Sequence, residues 1–235
     1  MEITKLDVIY EDNHLLAVNK HAGEIVQGDK TGDEPLSETV KGWLREKYHK
    51  TGNVFCGVIH RIDRPVSGVV VFAKTSKALS RMNLLVKNRQ IEKRYWAIVK
   101  NAPPQSHGNL VHYLSKIESK NKSIVSHFPK NGYLRAELNY WLIASSEQYH
   151  LLEIELITGR HHQIRSQLAT MGCPIKGDLK YGFPRSNPDA SISLHARSIR
   201  FVHPISLQPV HIEANPPDDT LWNFFAAEVD NENVY

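Results

Sequence analysis

Asp63 stands between Arg61 and Arg64 in the stretch VIHRIDRPVSGVVVFAKTSKA, Val58 to Ala78. A carboxylate flanked by two guanidiniums is held as an anion. Fixed in place, such a group can act as a nucleophile or an orienting base without a metal. Pro65 to Gly68 reads as a turn, and Ser67 to Ala73 reads as a buried strand, because Val69 to Phe72 are continuously apolar; that strand would hold the carboxylate still. Pro65 also biases Arg64 away from helix. No second carboxylate lies at a short fixed spacing, so paired-acid glycosidase chemistry has no local support. The plain alternative is an ion pair that pins a loop ahead of a strand.

Three further stretches carry reactive or basic residues. In ITGRHHQIRSQLATMG, Ile157 to Gly172, Arg160, His161, His162, Gln163 and Arg165 crowd what reads as the start of a helix over 160–171. Thr158-Gly159 would then offer backbone N–H groups to an anion. His161 and Arg165, four apart, would share a helix face, and Arg165 can fork onto a carboxylate. The alternative is a basic helix end, though cations normally favour the opposite end. In KRYWAIV, Lys93 to Val99, Tyr95 and Trp96 adjoin two cations, a combination that stacks bases and meets phosphates, or else simply packs in a core. PIKGDLKYG, Pro174 to Gly182, places Lys176, Asp178, Lys180 and Tyr181 in a loop that suits phosphate contact or a plain turn.

The elements that must position these residues follow from periodicity. Strands are expected over 5–10 and 13–19, around an Asp12-Asn13 turn. A helix capped by Ser37 would run to Tyr48, with Val40, Trp43, Leu44 and Tyr48 on one face. A second, capped by Ser76, would run to Arg89. Residues 92–100 read as a strand, and 107–157 as a β-meander with a turn at Pro129–Gly132. Its clearest member is Leu151 to Thr158, where Leu152, Ile154 and Leu156 alternate with Glu153 and Glu155. Gly172 is a natural helix stop. Two more strands are expected over 191–202 and 208–214, and a closing helix over 219–228. Strands dominate and few βαβ units occur, which favours a largely antiparallel α+β fold.

The chain has 235 residues, with 41% hydrophobic and 23% charged, ordinary values for a globular protein. No apolar run is long enough for a transmembrane helix, and the charged N-terminus is unlike a signal peptide. Cys56 and Cys173 are far apart, which argues against a disulfide framework and for a reducing, cytoplasmic location. The net charge of +4 is unevenly spread. Residues 74–100 hold eight Lys/Arg and one acid; residues 201–235 hold six acids and no Lys or Arg. A basic face of this kind fits a polyanion partner, or a solvated helix surface. Zinc-ligand spacings and nucleotide-binding glycine loops are missing, so no metal or nucleotide cofactor has motif support.

Five segments together resemble the RluA family of RNA pseudouridine synthases. VIYEDNHLLAVNKHAG is similar to the family's N-terminal strand pair, and HRIDRPVSGVVVFAKT to its catalytic motif. KRYWAIV is similar to its tyrosine motif, TGRHHQIRSQLATMGCPIKGDLKYG to the motif that closes the site, and SLHARSIRFVHP to its C-terminal strand. They occur in the family's order and cover most of residues 8–204. The resemblance implies a pseudouridine synthase fold, a long bent antiparallel sheet with a central cleft. It implies one catalytic domain over 1–235 in two subdomains; because the pattern begins almost at the first residue, the separate N-terminal RNA-binding domain that many relatives carry is not expected.

The activity implied is isomerisation of uridine in a structured rRNA or tRNA stem-loop, by a monomer with no cofactor. Asp63 falls on the catalytic aspartate, Tyr95 on the tyrosine that lies against the target base, and Arg165 on the basic partner of the aspartate. Arg61 falls on the arginine that helps fill the space left by a flipped nucleotide. His60, Arg160, His162, Gln163, Lys176 and Lys180 lie in the same motifs and are expected to contact RNA. An RNA-binding or RNA-folding protein with dispensable catalysis is the alternative reading. The chain departs from the family pattern at His21, at Pro65-Val66 and at His161, where a threonine is usual. Arg64 has no assigned role.

Overall fold

The structure is a computed structural model and describes residues 6–232. In chain order it forms β1 (Val8–Glu11), β2 (Leu15–Lys20), α1 (Leu36–Lys47), β3 (Gly57–Val58), β4 (Ser67–Ala73), α2 (Ser76–Lys87) and β5 (Glu92–Val99). There follow β6 (His107–Ile117), β7 (Lys122–Ser126), β8 (Leu134–Ser145), β9 (His150–Leu156), α3 (Gln163–Thr170), β10 (Leu194–Val202), β11 (Pro209–Glu213) and α4 (Thr220–Glu232). The fold is α+β, as the strand-rich pattern predicts. The first expected strand begins at Lys5, which lies outside the described residues. Among those residues no helix is long and apolar enough to cross a membrane.

One compact unit runs to Ile91 and takes in Ala196–Asn215. Here the unbroken apolar run after Asp63 becomes β4, and all seven of its residues are buried. It pairs antiparallel with β2, which in turn pairs with β1, and β3 pairs with Phe72 and Ala73 along its other edge. Leu15, Ala17, Val69, Val71, Met82 and Phe201 share the core. Both expected helix caps in this unit are displaced by one or two residues. α1 starts right after Pro35, so Ser37 sits inside the first turn, buried, with no side-chain cap at the helix start. α2 is capped by Thr75, whose hydroxyl accepts from Ala78 N–H, and Ser76 is its first helical residue. Tyr48 is 44% exposed rather than part of the apolar face of α1. Its hydroxyl donates instead to Glu11 Oε1 at 2.6 Å.

Gly68 opens β4 at φ +114°, opposite Lys20. A Cβ there would meet the Ala196 backbone oxygen at 2.3 Å. Neither the φ nor the contact tolerates a side chain. Gly68→Ala is expected to cost about 3 kcal/mol, from backbone strain plus overpacking. A urea midpoint unchanged from wild type would contradict this.

The second unit comprises Glu92–His195 and the segment from Pro216 onward. Its sheet runs β5-β9-β8-β6-β7 with antiparallel neighbours throughout. In β9 the alternation is as the sequence predicts, with Leu152, Ile154 and Leu156 buried. Trp96, Ile98, Leu151, Trp222 and Phe225 form a core cluster in which α4 covers the sheet. α3 is shorter than expected, starting at Gln163 rather than Arg160. His162 adopts φ +49°, a left-handed conformation that a right-handed helix cannot pass through. Gly172 ends it at φ +88°, as a glycine stop should.

Candidate active site

In the first unit the Asp63 loop is tied down from behind. Val66 N–H donates to the Asp63 carbonyl at 3.0 Å, closing a turn over Arg64 and Pro65. The Arg64 carbonyl accepts from Gly23 N–H at 2.8 Å and from Lys20 Nζ at 3.2 Å. The turn after β2 is thereby bonded directly to the residue beside Asp63. Ile62 and Val66 are buried on either side, while the Asp63 side chain stays partly accessible. Arg61 is exposed. Arg64, unassigned from sequence, forms an ion pair with Asp33 at 2.7 Å. His60 faces β4, where Val71 N–H donates to its Nε2 at 3.2 Å.

Lys20 belongs to this site although nothing in its local sequence marks it. It ends a strand whose other residues are mostly apolar, and only 1% of it is exposed. Burial pushes its amine down to about 8, partly offset by the charges of Glu24 and Asp63. Its Nζ also donates to the His21 carbonyl at 2.7 Å. Lys20→Met would take a donor from the His21 carbonyl and leave the Arg64 carbonyl with Gly23 N–H alone, an expected loss of about 1–3 kcal/mol. The amine releases its proton at lower pH in the folded protein than in the unfolded chain. Stability should therefore rise with pH from about 8 toward the unfolded value of 10.5. That alkaline rise should be smaller in Lys20→Met than in wild type, by the part that Lys20 supplies; an equal rise in both proteins in thermal melts at pH 8 and 10 would refute the assignment.

In the second unit Arg165 is 4% exposed and forks onto Asp178, Nε to Oδ2 at 2.7 Å and Nη2 to Oδ1 at 2.9 Å. Its guanidinium also lies 5.2 Å from the Tyr181 ring centre. The Tyr181 hydroxyl receives Ser123 N–H at 2.8 Å and lies 3.1 Å from His162 Nδ1. His162 is buried, and burial, then the nearby Arg165 charge, pushes its imidazole down to about 2. It is therefore a neutral ring. His161 stacks on it with centroids 3.8 Å apart. The His161 ring spans β7 and the turn before it, with Nδ1 2.9 Å from Ser123 Oγ and Nε2 3.0 Å from Asn121 Oδ1. A threonine hydroxyl could not reach both.

The Thr158–Arg160 segment is not the helix N-terminus expected from sequence, because α3 begins only at Gln163. His161 likewise lies outside the helix and does not share a helical face with Arg165. Gln163 holds this segment: its Oε1 accepts from Thr158 Oγ1 and Arg160 N–H, and its Nε2 donates to the Glu137 carbonyl. Arg160 Nε donates to the Arg135 carbonyl at 3.0 Å. Lys176 reaches Asn187 Oδ1 at 2.6 Å, and Lys180 the Asn121 carbonyl at 3.0 Å. Tyr95 sits on β5 opposite Ile154 and is 7% exposed. Among the described residues no group of His, Cys, Asp or Glu is arranged to hold a metal ion.

Asp178 was visible in the sequence only as one member of a loop. Its pairing with Arg165 depends on a chain path of thirteen residues that no local pattern predicts. The chemistry available is thus an anion on a pinned turn in one unit. In the other it is a forked, buried arginine amid neutral aromatic rings.

The family model described as RNA pseudouridylate synthase matches residues 14–170. Ribosomal large subunit pseudouridine synthase D of Zymomonas mobilis is 32% identical over 97% of this chain and 74% of its own. tRNA pseudouridine synthase C of Vibrio cholerae is 32% identical, covering 95% of each chain. The solved structure of Human RNA Pseudouridylate Synthase Domain Containing 4 superposes with a TM-score of 0.77 at 21% identity, over 95% of this chain and 93% of that one.

Proposed function

Because the chain belongs to the RNA pseudouridylate synthase family and is an RNA pseudouridine synthase of the RluA type, we propose that it isomerises specific uridines in ribosomal or transfer RNA with Asp63 as nucleophile. The bond between the ribose C1′ and uracil N1 breaks. The uracil turns, C1′ bonds to C5, the C5 proton leaves and N1 takes up a proton. The overall change is an isomerisation with no redox step, so the balance needs no co-substrate.

The observation that carries this reading is the pinned Asp63 turn, its carboxylate presented within HRIDRPVSG and its backbone fixed by Gly23 and Lys20. Positioning of this kind supplies rate by keeping the reacting groups aligned. Tyr95 lies against the target base and Arg165 steadies the Asp63 anion as the glycosidic bond opens. Arg61, exposed beside Asp63, fills the space left when the target uridine leaves its stack, a step that costs a few kcal/mol. His60, Arg160 and Lys180 contribute to holding the RNA. His162 and Gln163 support the site from inside, since their polar groups are engaged within the protein.

The test is a site-resolved pseudouridine map of RNA from cells lacking the gene, before and after treatment with the purified protein. New pseudouridine at a small set of ribosomal or transfer RNA positions is expected. No new pseudouridine in either class would overturn the proposal.

A further inference from the structure

β5 gives its two faces opposite treatment. Arg94, on one face, is flanked by two carboxylates, Glu92 at 2.8 Å and Glu153 at 2.7 Å. Its guanidinium also lies 5.2 Å from the Trp141 ring centre. Lys93 and Tyr95 share the other face, because alternate residues of a strand point the same way. Lys93 is partly buried, yet among the described residues it makes no hydrogen bond and no ion pair. Its Nζ lies 3.7 Å from where a Cβ on Gly159 would stand. The ammonium therefore lies beside the backbone of Gly159, in the Thr158–Arg160 turn. Burial alone moves the amine down from its usual value, with no nearby anion to offset it.

A partly desolvated cation without a counter-charge is costly unless something binds there. The spacing suggests what. Two residues along a strand cover about 7 Å, roughly the reach from a nucleobase to its own backbone phosphate. A base lying against Tyr95 would bring its phosphodiester to the next position on the same face.

We propose that Lys93 binds a backbone phosphate of the RNA beside the uridine that lies against Tyr95. This rests on the reading of Tyr95 as the residue that receives the target base. Lys93 acts in binding: it supplies charge to the phosphate and leaves the bond-making steps to other groups. Arg94, although adjacent in sequence, takes no part, since its charge is satisfied on the opposite face. The chemical partner is a single phosphodiester, recognised as a point charge.

The experiment measures binding of a pentauridylate and of its uncharged methylphosphonate analogue across a salt series, for the full chain and for Lys93→Met and Lys93→Arg. Lys93→Met is expected to weaken pentauridylate binding about tenfold and to reduce the slope of log affinity against log salt by about one. Lys93→Arg should keep most of the affinity, and the methylphosphonate should bind all three proteins alike. Unchanged pentauridylate binding by Lys93→Met would overturn the proposal. So would an equal loss for the methylphosphonate, which would move the contact to the base or ribose. Pseudouridine formation by wild type on RNA from cells lacking the gene is run in parallel. A failure there strikes the proposed activity, whereas the binding result decides the role of Lys93 by itself.

Discussion

Asp63→Asn is expected to stop pseudouridine formation, lowering the rate by about 10⁴-fold or more, to the limit of detection. The amide matches the carboxylate in size but carries no negative charge. It can neither form a covalent bond to the ribose or the base nor stabilise a ribosyl cation on the way to a glycal. Both routes need the anion, so the prediction does not depend on which is followed. Folding should survive. The Asp63 carbonyl still receives Val66 N–H, and the Arg64 carbonyl still receives Lys20 and Gly23. RNA affinity should change little, because phosphate contacts dominate it. The measurement is nucleoside chromatography of treated RNA, since uridine and pseudouridine have the same mass. Full modification by Asp63→Asn would end the nucleophile assignment and favour a protein that acts by binding or folding RNA.

The sequence made some of this legible and hid the rest for identifiable reasons. β4 was readable to the residue because a buried strand announces itself as a continuous β-branched and aromatic run. The start of α3 was not readable. Nothing in GRHHQIR marks His162 as left-handed, and the Tyr181 hydroxyl that its ring meets comes from elsewhere in the chain. The cap of α2 was missed by one residue, since Thr75 and Ser76 are equally good capping types and only geometry chooses between them. Lys20 carries no signal of its own, because a lysine at a strand end is usually exposed. Only the fold turns it inward, onto the carbonyl next to Asp63. His161, read as a departure from the family pattern, proves to be a two-ended tie to Ser123 and Asn121. The motif residues were thus visible by type, while the groups that hold them were not, because holding is a long-range property.

Asp178→Ala should be the most damaging substitution among those holding residues. Arg165 and Asp178 are 5% and 1% exposed at their side chains, and the fork between them is bidentate. Removing one member of such a pair leaves the other charge buried, at a cost of about 3–5 kcal/mol. For a chain of this size that corresponds to a melting temperature lower by roughly 6–20 °C. Activity should fall with it even below the new melting point, because Arg165 loses the carboxylate that fixes its direction. Arg165→Lys should behave similarly, since an ammonium cannot reproduce the fork. The informative companion is the double variant Arg165→Met with Asp178→Leu. Replacing both charges with apolar groups removes the stranded ion, and such exchanges are often neutral for stability. Most of the lost melting temperature should therefore return in the double variant, while pseudouridine formation should not. A double variant that regains both would show that Arg165 serves only the fold. One that regains neither would show that the pair holds more than itself together.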